Sequence, residues 1–209
     1  MTATVEFFYD FSCPFAYLGS TRIEALCERS GAALIWRPFH LGGLFRELYG
    51  DDARPPAPIA PKAFSQAQDL RRWASHWDVP LAYPANHPVR TADALRAVIA
   101  APHAAAALTH RFYKAYWVDH LDLGSREVMR GLLGEVDGVD VEGVMSKILD
   151  HDVRHRLRKA TEEAQARGVF GAPTCFVDRD FMVWGQDRLQ FVEAAVGGWR
   201  PEEQGSTDA

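Results

Sequence analysis

The sequence has few cysteines, no run of basic residues and no long hydrophobic segment. Its three cysteines, Cys13, Cys27 and Cys175, are odd in number and far apart, which is typical of free thiols in a reducing compartment. No stretch approaches the ~18 apolar residues of a membrane-spanning helix, and the N-terminus begins with a strand pattern instead of a secretory signal. We therefore expect a cytoplasmic protein without a membrane partner.

The charge balance limits the kind of partner further. At pH 7 the formal net charge is −5, whereas proteins that bind nucleic acids or acidic membranes are usually strongly basic. The 209 residues suffice for one domain with a full core, or one domain with a sizeable insertion. These properties argue against a nucleic-acid partner and favour a small-molecule substrate.

The N-terminal third has the pattern of a strand, a helix and a second strand. β-branched and aromatic residues are concentrated at Thr4–Tyr9 and Ala33–Phe39, and Pro14–Arg29 between them has helical spacing. Because crossovers are right-handed, the two strands of such a unit are expected to be parallel neighbours.

The middle of the chain is predicted to be helical after a proline-rich loop at residues 54–61. The predicted helices are Lys62–Trp77, Thr91–Ala101, Ala104–His120, Ser125–Leu133, Val141–Leu149 and Asp152–Arg167, with a second loop at Pro80–Pro88.

The end of the chain returns to a strand pattern. We predict strands at Thr174–Val177 and Phe181–Trp184, a helix from Asp187 to about Val196, and disorder at 201–209. The whole order predicts an α/β, thioredoxin-like domain (residues 1–41 and 168–209) with an inserted all-helical domain (42–167).

Cys13 lies between the first strand and Pro14, a residue suited to the first position of a helix. Free N–H groups and the helix dipole at such a position favour a thiolate, so we predict a Cys13 pKa lowered from about 8.5 into the range ~3.5–7.5. The alternative is a small core residue.

A partner thiol for Cys13 is not evident. Ala16 stands where Cys-x-x-Cys redox proteins have their resolving cysteine, which disfavours dithiol chemistry. Cys175 is the distant candidate, although it fits a buried strand position equally well, and Cys27 is interpreted as a core residue of the first helix.

Two turns near the C-terminus are candidate binding segments. The run Gly171-Ala172-Pro173-Thr174 predicts a tight turn that favours a cis Ala172–Pro173 bond, with an ordinary trans turn as the alternative. Such a turn would expose the backbone of Ala172 to a peptide-like ligand. The segment Trp184–Arg188 is predicted to open the last helix, where its N–H groups suit a carboxylate and Asp187 suits an ammonium; a simple N-cap is the alternative.

Two weaker patterns are interpreted conservatively. His151 and His155 have the i, i+4 spacing of helical zinc sites, but a third ligand is not evident, so we predict no metal. The aromatic residues Phe112, Tyr113, Tyr116 and Trp117 have the spacing of a buried helix face.

Taken together, several short motifs resemble one family over nearly the whole chain. The chain resembles 2-hydroxychromene-2-carboxylate isomerases and the related kappa-class glutathione transferases, whose fold is a DsbA-like thioredoxin domain with a helical insertion. The motifs are Asp10-Phe11 with Pro14–Leu18, Asp69–Trp73, Val79–Leu81 with Pro84–Asn86, Val169–Thr174 and Trp184–Arg188.

The resemblance implies glutathione as the cofactor. In those proteins a serine stabilises the glutathione thiolate, and Cys13 occupies the matching position here. By the same resemblance, the backbone at Ala172 and Pro173 pairs with the cysteinyl unit of glutathione, and Gln186 and Asp187 hold its γ-glutamyl end.

Two further residues are carried over from the family. Lys62 resembles a lysine that meets a glutathione carboxylate, and Asn86 resembles an asparagine near the isomerase active site and is a candidate for substrate contact. An asparagine that some kappa enzymes have near residues 52–54 has no clear equivalent here. The resemblance also implies a possible homodimer.

Three functions remain open from the sequence. The first is a glutathione-dependent isomerase or transferase acting on aromatic or electrophilic small molecules, in which reversible thiolate addition turns a double bond into a rotatable single bond. The second is a cytosolic monothiol thiol-disulfide oxidoreductase with Cys13 as nucleophile. The third is a peptide-binding module without catalytic activity.

Overall fold

A computed structural model describes residues 2–50 and 59–202. Within these residues, no helix has both the length and the apolar character needed to cross a membrane. The elements in chain order are β1 Thr4–Tyr9, α1 Pro14–Ser30, β2 Ala33–Pro38, α2 Leu41–Tyr49, α3 Ala60–His76, α4 Ala92–Ala100, α5 Ala105–Trp117, α6 Arg126–Gly134, α7 Val141–Lys147, α8 His151–Ala166, β3 Thr174–Val177, β4 Phe181–Trp184 and α9 Leu189–Val196, with 3₁₀ turns at Pro102–Ala104 and Gln186–Arg188.

Strands from both ends of the chain form one mixed sheet in the order β2-β1-β3-β4. β1 and β2 are parallel, with Tyr9 opposite Pro38, whereas β3 is antiparallel to both β1 and β4. Helices α2 to α8 lie between the two halves in sequence. This architecture confirms the predicted α/β class, and the division at residues 42 and 167 stays a proposal.

β1 is an inner strand of the sheet, and its side chains are buried almost throughout. Phe7, Phe8 and Tyr9 are fully buried, and the Tyr9 hydroxyl lies 2.6 Å from the hydroxyl of Thr109 in α5. The predicted aromatic face of α5 is buried in the same core. α5 therefore packs the helical segment against the strand that ends beside Cys13.

Most helix limits differ from the sequence prediction by one or two residues, and three differences bear on the architecture. α2 was not predicted, and α5 ends at Trp117 instead of His120. The last helix begins at Leu189, because Gly185 has a positive φ of 103° and the next residues form a 3₁₀ turn. Of the proline-rich loop, residues 54–58 lie outside the described residues, as do residues 203–209 of the predicted disordered tail.

Candidate active site

Cys13 is the N-cap residue of α1, and a short turn of three residues separates it from the end of β1. Its backbone N–H donates to the carbonyl of Asp10 at 3.1 Å, and its own carbonyl accepts from the N–H of Tyr17 at 3.1 Å. Pro14 occupies the first helical turn, where the missing N–H costs nothing. The local sequence thus places the thiol at a helix N-terminus, as predicted.

The Cys13 thiol is buried and protonated. Its side chain is 8% exposed, and Sγ donates a hydrogen bond to the carbonyl of Ala172 at 3.0 Å. Burial raises the pKa of Cys13 to about 12, against the opposing effect of the backbone N–H groups of Ala16 and Phe15. The predicted lowering of this pKa is wrong, because removal of the thiolate from water outweighs the helix terminus.

The turn that accepts the Cys13 hydrogen bond has the predicted form. The Ala172–Pro173 bond is cis, and the Thr174 hydroxyl donates to the Gly171 carbonyl at 2.8 Å. A Cβ at Gly171 would lie 2.8 Å from Nε1 of Trp184, so this close approach requires glycine. The thiol and the backbone of this turn therefore form one side of a candidate site.

Asp10 anchors the turn that precedes Cys13. Its carboxylate is buried, and Oδ1 accepts from the N–H and hydroxyl of Ser12 at 2.9 and 3.0 Å. The Thr91 hydroxyl donates to the same oxygen at 2.8 Å, and the Leu41 N–H donates to Oδ2 at 2.8 Å. The sequence analysis assigned Asp10 no such role, although Asp-x-Ser is a recognisable pattern for an Asx turn.

Tyrosines surround the buried thiol. The Tyr113 hydroxyl donates to the Asp10 carbonyl at 3.2 Å, and the Tyr17 hydroxyl donates to the carbonyl of Pro80 at 3.0 Å. Burial, and secondarily the proximity of Cys13, raise the pKa of Tyr83, whose side chain is still 54% exposed. Tyr83 thus offers an aromatic surface near the thiol, a role that sequence analysis missed.

The segment around Gln186 lies against the proline turn. The Gly185 N–H donates to the Pro173 carbonyl at 2.9 Å, which brings the following 3₁₀ turn beside Pro173. Gln186 is 4% exposed, and its side-chain amide has no hydrogen-bond partner within residues 2–50 and 59–202. Asp187 is partly exposed and 3.8 Å from Arg188, and it does not cap α9.

Lys62 and Asn86 are exposed, and no contact in the structure joins either to Cys13. Lys62 lies in the first turn of α3, a helix that packs against α1. Asn86 lies in the loop that also carries Tyr83. In the described part of the chain neither side chain has a hydrogen bond or ion pair, so both are available to a ligand.

The remaining histidine and cysteine candidates do not join the site. The rings of His151 and His155 stack 6.1 Å apart, and Arg158 lies 2.8 Å from Nδ1 of His155. Among the described residues there is no group of three or more potential metal ligands. Cys27 and Cys175 are buried free thiols, and burial raises the pKa of both.

A helix N-terminus bearing a cysteine, opposite a cis-proline turn on a four-stranded sheet, defines a thioredoxin-fold protein. The chain matches the model of the DSBA-like thioredoxin domain over residues 4–197 and belongs to that family. Within it, the chain belongs with the 2-hydroxychromene-2-carboxylate isomerases, as the sequence motifs predicted. It is 32% identical over 196 residues to the isomerase of Sphingobium xenophagum, across 93% of this chain and 98% of that protein.

Two further comparisons agree with this assignment. The chain is 25% identical over 215 residues to glutathione S-transferase kappa 1 of Homo sapiens, covering 93% of this chain and 91% of the relative. A solved selenomethionine structure of 2-hydroxychromene-2-carboxylate isomerase superposes with a TM-score of 0.81 at 26% identity, covering 93% of this chain and 95% of that chain.

Proposed function

We propose that the protein is a glutathione-dependent isomerase or transferase for aromatic or electrophilic small molecules, most like 2-hydroxychromene-2-carboxylate isomerase. The observation that carries the proposal is the neutral, hydrogen-bonding state of the Cys13 thiol beside the Ala172–Pro173 turn. A buried thiol with a pKa of about 12 is a poor nucleophile at neutral pH, but it can donate a hydrogen bond to a ligand's sulfur.

The residues around Cys13 fit glutathione. The side-chain amide of Gln186 has no hydrogen-bond partner within the described residues and is not sealed from solvent, so its donors and acceptor are available to a polar ligand. We assign Gln186 and Asp187 to the γ-glutamyl end, the backbone of Ala172 and Pro173 to the cysteinyl unit, and Lys62 to a carboxylate. The two proteins named glutathione S-transferase kappa 1 and 2 among the relatives support this choice of cofactor.

Glutathione, when bound, supplies a thiol that adds to an electrophilic carbon and later leaves it. The Sγ–H that Cys13 donates to the Ala172 carbonyl would turn to that sulfur when glutathione binds, and this hydrogen bond would lower the pKa of the ligand thiol because it stabilises the charged form. Tyr83 offers an aromatic face for the substrate, and Asn86 lies in the same loop for a polar substrate contact. Burial of Cys13 and Tyr113 keeps water away from the reacting sulfur.

The oxidoreductase alternative is less well supported by the same geometry. Thiol exchange needs a thiolate, and a pKa of about 12 leaves almost none at pH 7. Cys175, the distant partner considered from the sequence, is buried in β3 and its pKa is also raised by burial. A cytoplasmic location and a homodimer remain predictions.

The first experiment measures isomerisation of 2-hydroxychromene-2-carboxylate by the wild type. We expect turnover with glutathione, and none with S-methylglutathione, which retains the peptide but lacks the free thiol. S-methylglutathione should instead compete with glutathione, because both occupy the same backbone and γ-glutamyl contacts.

Two outcomes would contradict the proposal. One is equal turnover with and without glutathione, and the other is a stable mixed disulfide at Cys13 that forms faster than isomerisation. Cys27→Ala is the matched control, because Cys27 is a buried thiol on the same helix that we place outside the site. The Michaelis constant of Cys27→Ala for glutathione should equal that of the wild type.

A further inference from the structure

A cavity of about 230 Å³ opens between α2, α4 and α8. Four arginines and two glutamates line it: Arg46, Arg96, Arg154 and Arg158, with Glu47 and Glu162. We call it the arginine pocket. Its charged side chains sum to +2, although the whole chain carries −5. Such a concentration of positive charge in an acidic protein attracts anions.

The arginines are not fully neutralised by their neighbours. Arg154 has no side-chain hydrogen bond or ion pair within the described residues. Arg96 donates from Nη1 to Asp93 at 2.7 Å, but its Nε is buried without an acceptor in the described part of the chain. The Arg96 Nε is sealed from solvent, so the exposed guanidinium of Arg154 is the group that is open to an oxyanion.

Close contacts between segments that are far apart in sequence fix the shape of the pocket. The N–H of His40, just before α2, donates to the Thr161 hydroxyl in α8 at 3.0 Å. A Cβ at Gly43 would lie 3.1 Å from the His40 ring and 3.5 Å from a Thr161 carbon, so glycine permits this close packing. The arginines are therefore carried by helices whose relative positions are fixed.

We propose that the arginine pocket binds a phosphate group, either of free phosphate or of a small phosphomonoester. Guanidinium groups match the geometry of phosphate oxygens and form paired, charge-assisted hydrogen bonds with them. A phosphate group presents three or four acceptor oxygens to the arginines, whereas a carboxylate presents two. The proposal does not depend on the glutathione reaction.

The test is calorimetric titration of the full-length protein with inorganic phosphate at constant ionic strength. We expect saturable binding at one site, and Arg154→Ala should weaken it roughly tenfold, as for the loss of a hydrogen bond to a charged group. Arg156→Ala is the matched control: Arg156 is also exposed and lies on the same helix, but it lines the neighbouring cavity next to Trp36. The affinity of Arg156→Ala for phosphate should differ from that of the wild type by less than about twofold. Arg156 acts on the pocket only through long-range electrostatic attraction, which the salt screens.

Two additional titrations sharpen the result. Arg154→Lys keeps the charge but loses the paired geometry, so it should bind with an affinity between those of the wild type and Arg154→Ala. Glycerol 3-phosphate distinguishes the sources: tighter binding than inorganic phosphate indicates a phosphomonoester, and weaker binding indicates free phosphate.

The proposal is overturned if phosphate does not bind saturably at constant ionic strength. It is also overturned if Arg154→Ala and Arg156→Ala weaken binding equally, because that result indicates non-specific attraction to the basic face of α8.

Discussion

The thiol site and the arginine pocket are both connected to the buried carboxylate of Asp10 by hydrogen bonds, and they differ in how far their own polar side chains are buried. Oδ1 of Asp10 holds the turn before Cys13, and Oδ2 holds the first residue of α2, Leu41. The Cys13 thiol is buried and its pKa is raised by that burial, whereas Arg154 and Arg158 of the pocket are exposed. The comparison shows that burial can outweigh a helix N-terminus, because Cys13 has the position that favours a thiolate and its pKa is nevertheless raised.

The largest expected effect comes from removal of the shared anchor. Asp10→Ala leaves the donors of Ser12, Leu41 and Thr91 without their acceptor, so we expect the free energy of unfolding to fall by about 3 kcal/mol or more. Urea denaturation measures this change. Both glutathione turnover and phosphate affinity should fall in this variant, because Asp10 positions both regions.

Thr91→Ala is the control for the Asp10 variant. It removes one of the hydrogen bonds to Oδ1, and we expect a loss of about 1 kcal/mol. If Asp10→Ala costs no more than Thr91→Ala, Asp10 is not the common anchor and the two regions are independent.

The second effect is a loss of stability at alkaline pH. An unfolded thiol has a pKa of about 8.5, whereas burial raises that of Cys13 to about 12 in the folded protein. Above pH 8.5 the unfolded chain therefore binds fewer protons than the folded one, so stability is complete below that pH and falls as the pH rises towards 12. Cys13 contributes a slope of up to about 1.4 kcal/mol per pH unit.

The measurement is the free energy of unfolding between pH 8 and pH 10 for the wild type and two variants. Cys13→Ser and Cys13→Ala should both show a shallower decline, since neither side chain ionises there. An unchanged slope in both variants would mean that the Cys13 thiolate is as stable in the folded protein as in water.

Much of the fold could be predicted because its signals are local. Residues 4–9, 174–177 and 181–184 alternate or cluster β-branched and aromatic side chains, and the three strands have the predicted limits. α2 was missed because its sequence, Leu41–Tyr49, includes Gly42 and Gly43, which are poor helix formers in isolation. Packing against α8 stabilises α2 despite the low helix propensity of its sequence.

Features of the site were predicted only where residues close in sequence determine the local structure. Pro14 marks the helix start and Gly171 to Thr174 mark the turn, so each was predicted from a local motif, whereas the hydrogen bond that joins Cys13 to the turn was not predicted. The pKa of Cys13 could not be predicted in the same way, because its burial depends on residues a hundred or more positions away, such as Tyr113 and Ala172. The arginines of α8 likewise resemble a solvated face until α2 and α4 are placed beside them.

The most direct test of the central claim compares glutathione-dependent isomerisation by the wild type, Cys13→Ser and Cys13→Ala. If Cys13 acts as a hydrogen-bond donor to the ligand sulfur, Cys13→Ser keeps or gains activity, because a hydroxyl is the stronger donor. Cys13→Ala should then lose turnover by roughly a hundredfold, as for the removal of one donor to a reacting anion. Equal inactivity of both variants would contradict this account and identify the Cys13 sulfur itself as the nucleophile.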